Sequence, residues 1–147
     1  MYRSESPILQ RHTIPEKNGR NFLLNETEAL EWLKSFEISV KNRDFGKAQD
    51  LYDSQATLFG TLVIKSQSTE DYKKNQWAVI WNMSKNFRFS EILRIDVFDS
   101  VAIISAMWKN TTLVNENWIE RSGRATLCLI KANEQVKAIH SHFSSSP

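Results

Sequence analysis

Apolar residues recur at helical spacing in one stretch near the N-terminus: Ala29, Trp32, Leu33, Phe36 and Val40. That repeat lays one face of a helix on a core. Asn25-Glu-Thr-Glu28 precedes it. Asn25 or Thr27 can cap the helix, and Glu26 and Glu28 favour the positive end of its dipole. Asn42-Arg-Asp44 breaks the pattern, and Phe45, Ala48 and Leu51 mark a second, short helix over 45–51. Ala56 to Ile64 is a β-rich run interrupted by Gly60, which predicts a bulge or the close approach of another group. A third helix, capped within Ser66-Gln-Ser-Thr-Glu-Asp71, is expected to run to about Met83. Its apolar positions, Tyr72, Trp77, Val79, Ile80, Trp81 and Met83, are broader than one stripe, which predicts cover on more than one side.

From Phe87 onward the period changes from helical to alternating. One strand covers 87–98 and turns at Asp99-Ser100; the next covers 101–108 and turns around Asn110 to Asn117. A closing hairpin joins 123–130 to 136–143 through Lys131–Gln135, where Asn133 can take a positive φ. Alternation gives this hairpin two faces. Ala125, Leu127, Leu129, Ile139, Ser141 and Phe143 form the face expected to meet the helices, together with Ala102, Ile104, Ala106 and Trp108. Arg124, Thr126, Cys128, Ala138, His140 and His142, with Ile103, form the other. Helices first and a meander of strands afterwards predict an α+β domain, with helices packed on one face of an antiparallel sheet. Residues 1–24, interrupted by Pro7, Pro15 and Gly19, read as an extension that is mobile or drapes over the surface, and 25–147 as the domain.

Composition adds limits. The chain has 147 residues, 41% hydrophobic, with five Trp and eight Phe, enough to bury a full core in one domain. Net charge is +2 and the basic residues form no long run, so nothing points to nucleic acid. The single cysteine, Cys128, excludes an intramolecular disulfide and reads as a structural thiol. No apolar run approaches a membrane span, and no signal-peptide core opens the chain. A soluble, cytoplasmic protein is the default expectation.

The stretches Ala56-Thr-Leu-Phe-Gly-Thr61, Phe87-Arg-Phe89, Ala106-Met-Trp108, Gly123-Arg-Ala-Thr-Leu127 and Ile139-His-Ser-His-Phe-Ser144 resemble the SnoaL-like domains of the nuclear transport factor 2-like superfamily. The resemblance covers roughly residues 28–147. It implies a conical barrel in which a curved antiparallel sheet wraps about three N-terminal helices and leaves a pocket at the wide end. It also implies a homodimer, often through the outer sheet face. It does not imply one chemistry, because such domains include isomerases, cyclases, dehydratases, assembly domains and simple binding proteins. The carboxylate base of ketosteroid isomerases aligns with Gly60, beside Phe59. The pocket arginines of the calcium/calmodulin-dependent kinase II association domain align with Trp108, Leu127 and Phe143. The resemblance therefore brings neither the base nor the arginines.

The reading that follows is a homodimeric small-molecule-binding domain with an apolar, aromatic-lined pocket formed by Trp32, Phe36, Trp77, Trp81, Trp108, Leu127, Ser141 and Phe143. A filled core would have the same composition as such a pocket, so both remain open. No catalytic constellation stands out. Ser141, for instance, has no histidine on its own face. An isomerase, dehydratase or cyclase acting on a hydrophobic molecule is the alternative, and would need an acid–base pair inside the pocket. An assembly module without ligand is the third. His140 and His142 point the same way from one strand, as a metal pair would, but no third ligand is evident. The expectation is hydrogen-bonded histidines at a subunit interface with Arg124 and Thr126, and no metal or cofactor. Trp118, near a loop, reads as a rim or interface residue.

Overall fold

The computed structural model describes residues 22–65 and 68–147. Most of the predicted N-terminal extension therefore lies outside the described residues. Within them run α1 (Glu26–Lys41), α2 (Phe45–Asp50), β1 (Tyr52–Phe59), α3 (69–83), β2 (Ser84–Phe98), β3 (Val101–Val114), β4 (Asn117–Ala132) and β5 (Gln135–Ser145). The five strands form one sheet in the order β1-β5-β4-β3-β2. The architecture is the α+β one expected, a curved sheet with the helices on its inner face. Two details differ. The sheet is not closed, and β1 runs parallel to β5, which makes it mixed and not wholly antiparallel.

The start of α1 follows from its sequence. Asn25 Oδ1 accepts the Glu28 N–H at 2.8 Å, and Glu28 Oε1 accepts the Asn25 N–H at 3.2 Å, a reciprocal capping box. Glu28 also meets the buried Lys131 ammonium at 2.9 Å, which ties the helix start to β4. Leu24, just before the cap, is buried, and its N–H donates to Asp99 O at 2.8 Å. The expected apolar face, Ala29 through Val40, is buried against the sheet. Asp44 caps α2 by accepting the Lys47 N–H at 3.1 Å. The hairpin and β2–β3 turns also form as read, with Asn133 at φ 51° and Asp99 at φ 51°.

Helix α3 is irregular. After a short α turn capped by Ser68, residues Lys73–Trp77 form a π turn in which the Ala78 N–H reaches Lys73 O. The extra residue brings Tyr72, Gln76, Trp77 and Trp81 onto the buried side and leaves Val79 and Met83 exposed. The helix is thus covered on one side only, contrary to the expectation from its broad apolar pattern.

The inner sheet face carries Ala102, Ile104, Ala106, Trp108, Ala125, Leu127 and Leu129, all buried, while Ile103 and Thr126 are exposed on the other. Strand β5 departs from strict alternation. Cys128 pairs with His140, but Leu129 pairs with Ala138, so Ile139 is an extra residue, a bulge. The bulge inverts the faces before it. Ala138, expected outside, is fully buried; Ile139, expected inside, is only half-buried and stands apart from the core cluster. Past the bulge, Ser141 and Phe143 face inward as expected. A second correction concerns β3. It does not turn at Asn110 but continues to Val114, and the turn falls at Asn115 and Glu116, both at positive φ.

Candidate functional site

Aromatic side chains from α1, α3 and the sheet converge on Phe36, which is 2% exposed. Its ring stacks on Trp32 at 5.5 Å and Phe143 at 5.7 Å, and meets Trp77 and Trp81 edge-on at 6.2 and 6.0 Å. Trp77 stacks on Trp81 at 5.0 Å, and Trp81 stacks in turn on Phe45 at 5.3 Å. Beside this cluster lies a cavity of about 50 Å³, open on one side. Phe36, Trp77, Trp81, Trp108 and Phe143 of the predicted pocket residues line it, with Phe87 and Ile80.

The other three predicted pocket residues do not line the cavity. Trp32 is buried, with its indole N–H donating to Leu51 O at 2.9 Å. Leu127 is fully buried in the sheet. Ser141 is buried too, and its hydroxyl accepts a hydrogen bond from Tyr52 at 2.9 Å. Burial pushes the Tyr52 phenol far above its usual range, against the smaller pull of that bond.

The sequence does not single out the polar groups on the cavity lining. The Gln76 carbonyl accepts the N–H groups of Leu62 and Val63 at 2.9 and 3.1 Å, and its amide donates to Thr61 Oγ1 at 3.0 Å. Tyr72 donates to Phe59 O at 3.2 Å. These contacts explain Gly60, since a Cβ there would overlap the Tyr72 hydroxyl and sit 2.7 Å from the Gln76 amide. On the sheet side, Ser84 and Asn110 line the cavity, and the buried Thr112 donates its hydroxyl to Asn110 Oδ1 at 3.2 Å. The sequence signal for these was available: Asn110 and Thr112 continue the inward period of β3 past Trp108.

The predicted interface residues lie on the outer face. Arg124, Thr126 and His142 are exposed and His140 is half-buried. His140 Nδ1 is 2.9 Å from Thr57 Oγ1, and Phe59 meets both imidazoles edge-on at 5.7 and 5.6 Å. Burial, and then the charge of His142, holds His140 below its ordinary value, against the opposing effect of Thr57. Cys128, opposite His140, is half-buried, and burial raises its thiol. Trp118 is about half exposed, with Lys85 Nζ 4.0 Å from its ring centre. Among the described residues, no group of three or more His, Cys, Asp or Glu is placed to hold a metal. No helix among them is long and apolar enough to cross a membrane.

No family model matches this chain, and no curated protein does. Solved structures do. A protein described as a calcium/calmodulin-dependent protein kinase II association domain from Xanthomonas campestris superposes with TM-score 0.74 at 15% identity, over 97% of this chain and 98% of that one. A nuclear transport factor 2-like superfamily protein from Salmonella enterica gives 0.71 at 14% identity, over 82% and 90%. A ketosteroid isomerase-like protein from Erwinia carotovora gives 0.70 at 12% identity, over 84% and 100%. Identities this low speak for the fold alone. The chain therefore has the nuclear transport factor 2-like, cystatin-like α+β fold that its SnoaL-like motifs imply.

Proposed function

We propose that the chain is a small-molecule-binding domain that takes an apolar, flat group between Trp77, Trp81, Trp108 and Phe143. The observation that carries this reading is the cavity itself. Its walls are mainly aromatic, yet it stays open on one side and polar residues share its lining. A core that needs only to be filled would carry neither the opening nor the polar lining residues. Its about 50 Å³ accepts the tip of a ligand, with the remainder lying in the mouth. An isomerase or dehydratase would need an acid–base pair there. Among the described residues, the ionisable group on the lining is Tyr72, whose phenol is pushed well up by burial and then by Tyr52, and which already donates to Phe59 O. That favours binding over proton transfer.

Titration calorimetry with tetralin, a neutral flat hydrocarbon, tests the reading. Wild type is expected to bind it saturably. Ile80→Trp, which places an indole at the half-buried edge of the lining, is expected to weaken binding about tenfold or more. No saturable heat, or equal binding by the variant, would remove the pocket.

The second element of the proposal is a homodimer through the outer sheet face. Exposed Ile103 and half-buried Met107 and Cys128 leave apolar area between Arg124, Thr126 and the histidines, and a two-fold axis would bring that patch against itself. The histidines make association pH-dependent. His140 is already held below the usual imidazole value of about 6.5, so its contribution to stability is complete above that pH and is lost as pH falls through it. Facing a second copy lowers it further, and association weakens on acidification. Sedimentation at about pH 8 and about pH 5.5 should show dissociation in wild type and little change in a His140→Gln, His142→Gln double variant. A monomer at the higher pH would discard the dimer. Equal pH dependence in both proteins would discard the histidine mechanism.

A further inference from the structure

Strand β3 changes character along its inner face. Ala102, Ile104, Ala106 and Trp108 are apolar; the next two inward residues, Asn110 and Thr112, are polar yet only 6% and 5% exposed. Ser84, opposite Thr112 on β2, is 6% exposed and with Asn110 lines the aromatic cavity. Buried polar groups cost stability unless their hydrogen bonds are made. Thr112 makes one of them by donating to Asn110 Oδ1 at 3.2 Å, which engages the oxygen end of the amide. The Asn110 Nδ2 donor and the Ser84 hydroxyl make no side-chain hydrogen bond among the described residues; no fully buried side-chain polar atom there is left unpartnered, so these two are not sealed off, and both residues line the cavity. The polar groups that α3 adds to the lining are different. Gln76 and Tyr72 are committed to the backbone of the 59–63 segment and to Thr61.

Charge narrows the ligand further. Among the described residues, the lining carries no carboxylate, histidine, lysine or arginine. An ion brought into contact with these aromatic walls would lose hydration without gaining a counter-charge.

We propose that Asn110 and Ser84 form a hydrogen-bonding subsite for an uncharged ligand, donating to one acceptor oxygen or nitrogen, such as a ketone or lactam carbonyl, while the ligand's flat apolar body packs on Trp77, Trp81 and Trp108. Thr112 is a positioning residue that holds the amide. The inference rests on the binding reading above and adds the polarity and charge of what is bound.

Three probes of one shape test it by calorimetry: tetralone, tetralin and the tetralin carboxylate anion. Wild type is expected to bind tetralone about tenfold more tightly than tetralin, as one added hydrogen bond allows, and the anion more weakly than either. Asn110→Leu and Ser84→Ala should each erase most of the ketone preference, read as the ratio of tetralone to tetralin affinity within the same variant. Thr112→Val, which keeps Asn110 but frees its amide, should reduce the preference part-way. Thermal unfolding of each variant checks that the fold is kept, and Ser84→Ala serves if Asn110→Leu does not fold. Equal binding of tetralone and tetralin by wild type, or a ketone preference that survives both substitutions, overturns the subsite and leaves the apolar pocket standing. Failure of all three probes to bind overturns the pocket and the subsite together.

Discussion

Phe36→Ala is expected to destabilise the domain by about 3–5 kcal/mol, the range for removing a buried aromatic from a packed core. The ring is the meeting point of the helices and the sheet. Trp32, Tyr52, Trp77, Trp81, Phe87, Phe89 and Phe143 all lie within 6.3 Å of it, centre to centre. Those neighbours come from α1, β1, α3, β2 and β5. A void at that point cannot be closed by one element moving, because each neighbour is held by others. Trp32, for example, is fixed by its bond to Leu51 O at 2.9 Å. Phe36→Leu keeps most of the volume and should cost less than half as much. Denaturant titration of both variants measures the difference. A loss below about 1 kcal/mol for the alanine variant would mean that the aromatic cluster repacks freely, and that Phe36 does not hold the cavity open.

Gly123→Ala should cost about 3 kcal/mol, for the opposite reason: one added methyl where there is no room. Gly123 lies in β4, the middle of the β3-β4-β5 triplet, between Trp108 and Ser145. A Cβ there would overlap the carbonyl oxygen of Ser144 and the Trp108 indole. The Ser144 carbonyl belongs to a paired strand and cannot swing aside. The Trp108 indole is tethered by its N–H to Arg124 O at 3.2 Å. Gly46→Ala in α2 is the internal control. Its Cβ would meet nothing nearer than Asp44 Oδ1 at 3.7 Å, and the gain in helix propensity should stabilise by up to about 1 kcal/mol. If thermal unfolding gave the two substitutions the same effect, close packing at Gly123 would be refuted.

The helices were legible where periodicity and capping agreed. Asn25 and Glu28 cap α1, and Ala29 to Val40 bury the face that their spacing predicts. The strands were legible wherever strict alternation held, as along β3 from Ala102 to Trp108. What escaped the sequence was single-residue geometry. One extra residue at Ile139 turns Ala138 inward, and nothing in the composition of Ala138-Ile-His140 marks a bulge, because alanine and isoleucine suit either face. One extra residue in α3 narrows the buried side of a helix whose apolar pattern looked broad. The polar end of the cavity was missed because asparagine favours turns, so Asn110 was read as ending its strand. The aromatic half of the lining was legible as a set of large rings. Which of them border the cavity depended on packing: Trp32 and Trp108 are alike in the sequence, yet only the latter lines it.

The parallel pairing of β1 with β5 bears on how the domain is made. Tyr52 lies beside Ala138 and Phe59 beside His142, so the strand that follows α2 finds its neighbour only at the far end of the chain. Among the described residues, no other strand flanks β1 in the sheet order. During synthesis β2, β3 and β4 can zip together as successive hairpins through short, local contacts. β1 must wait until β5 has emerged, with more than half the chain looped out between them. Phe143, one wall of the cavity, arrives on that same last strand. Until β5 is in place, the meander of β2, β3 and β4 lacks both the neighbour of β1 and the Phe143 wall of the cavity.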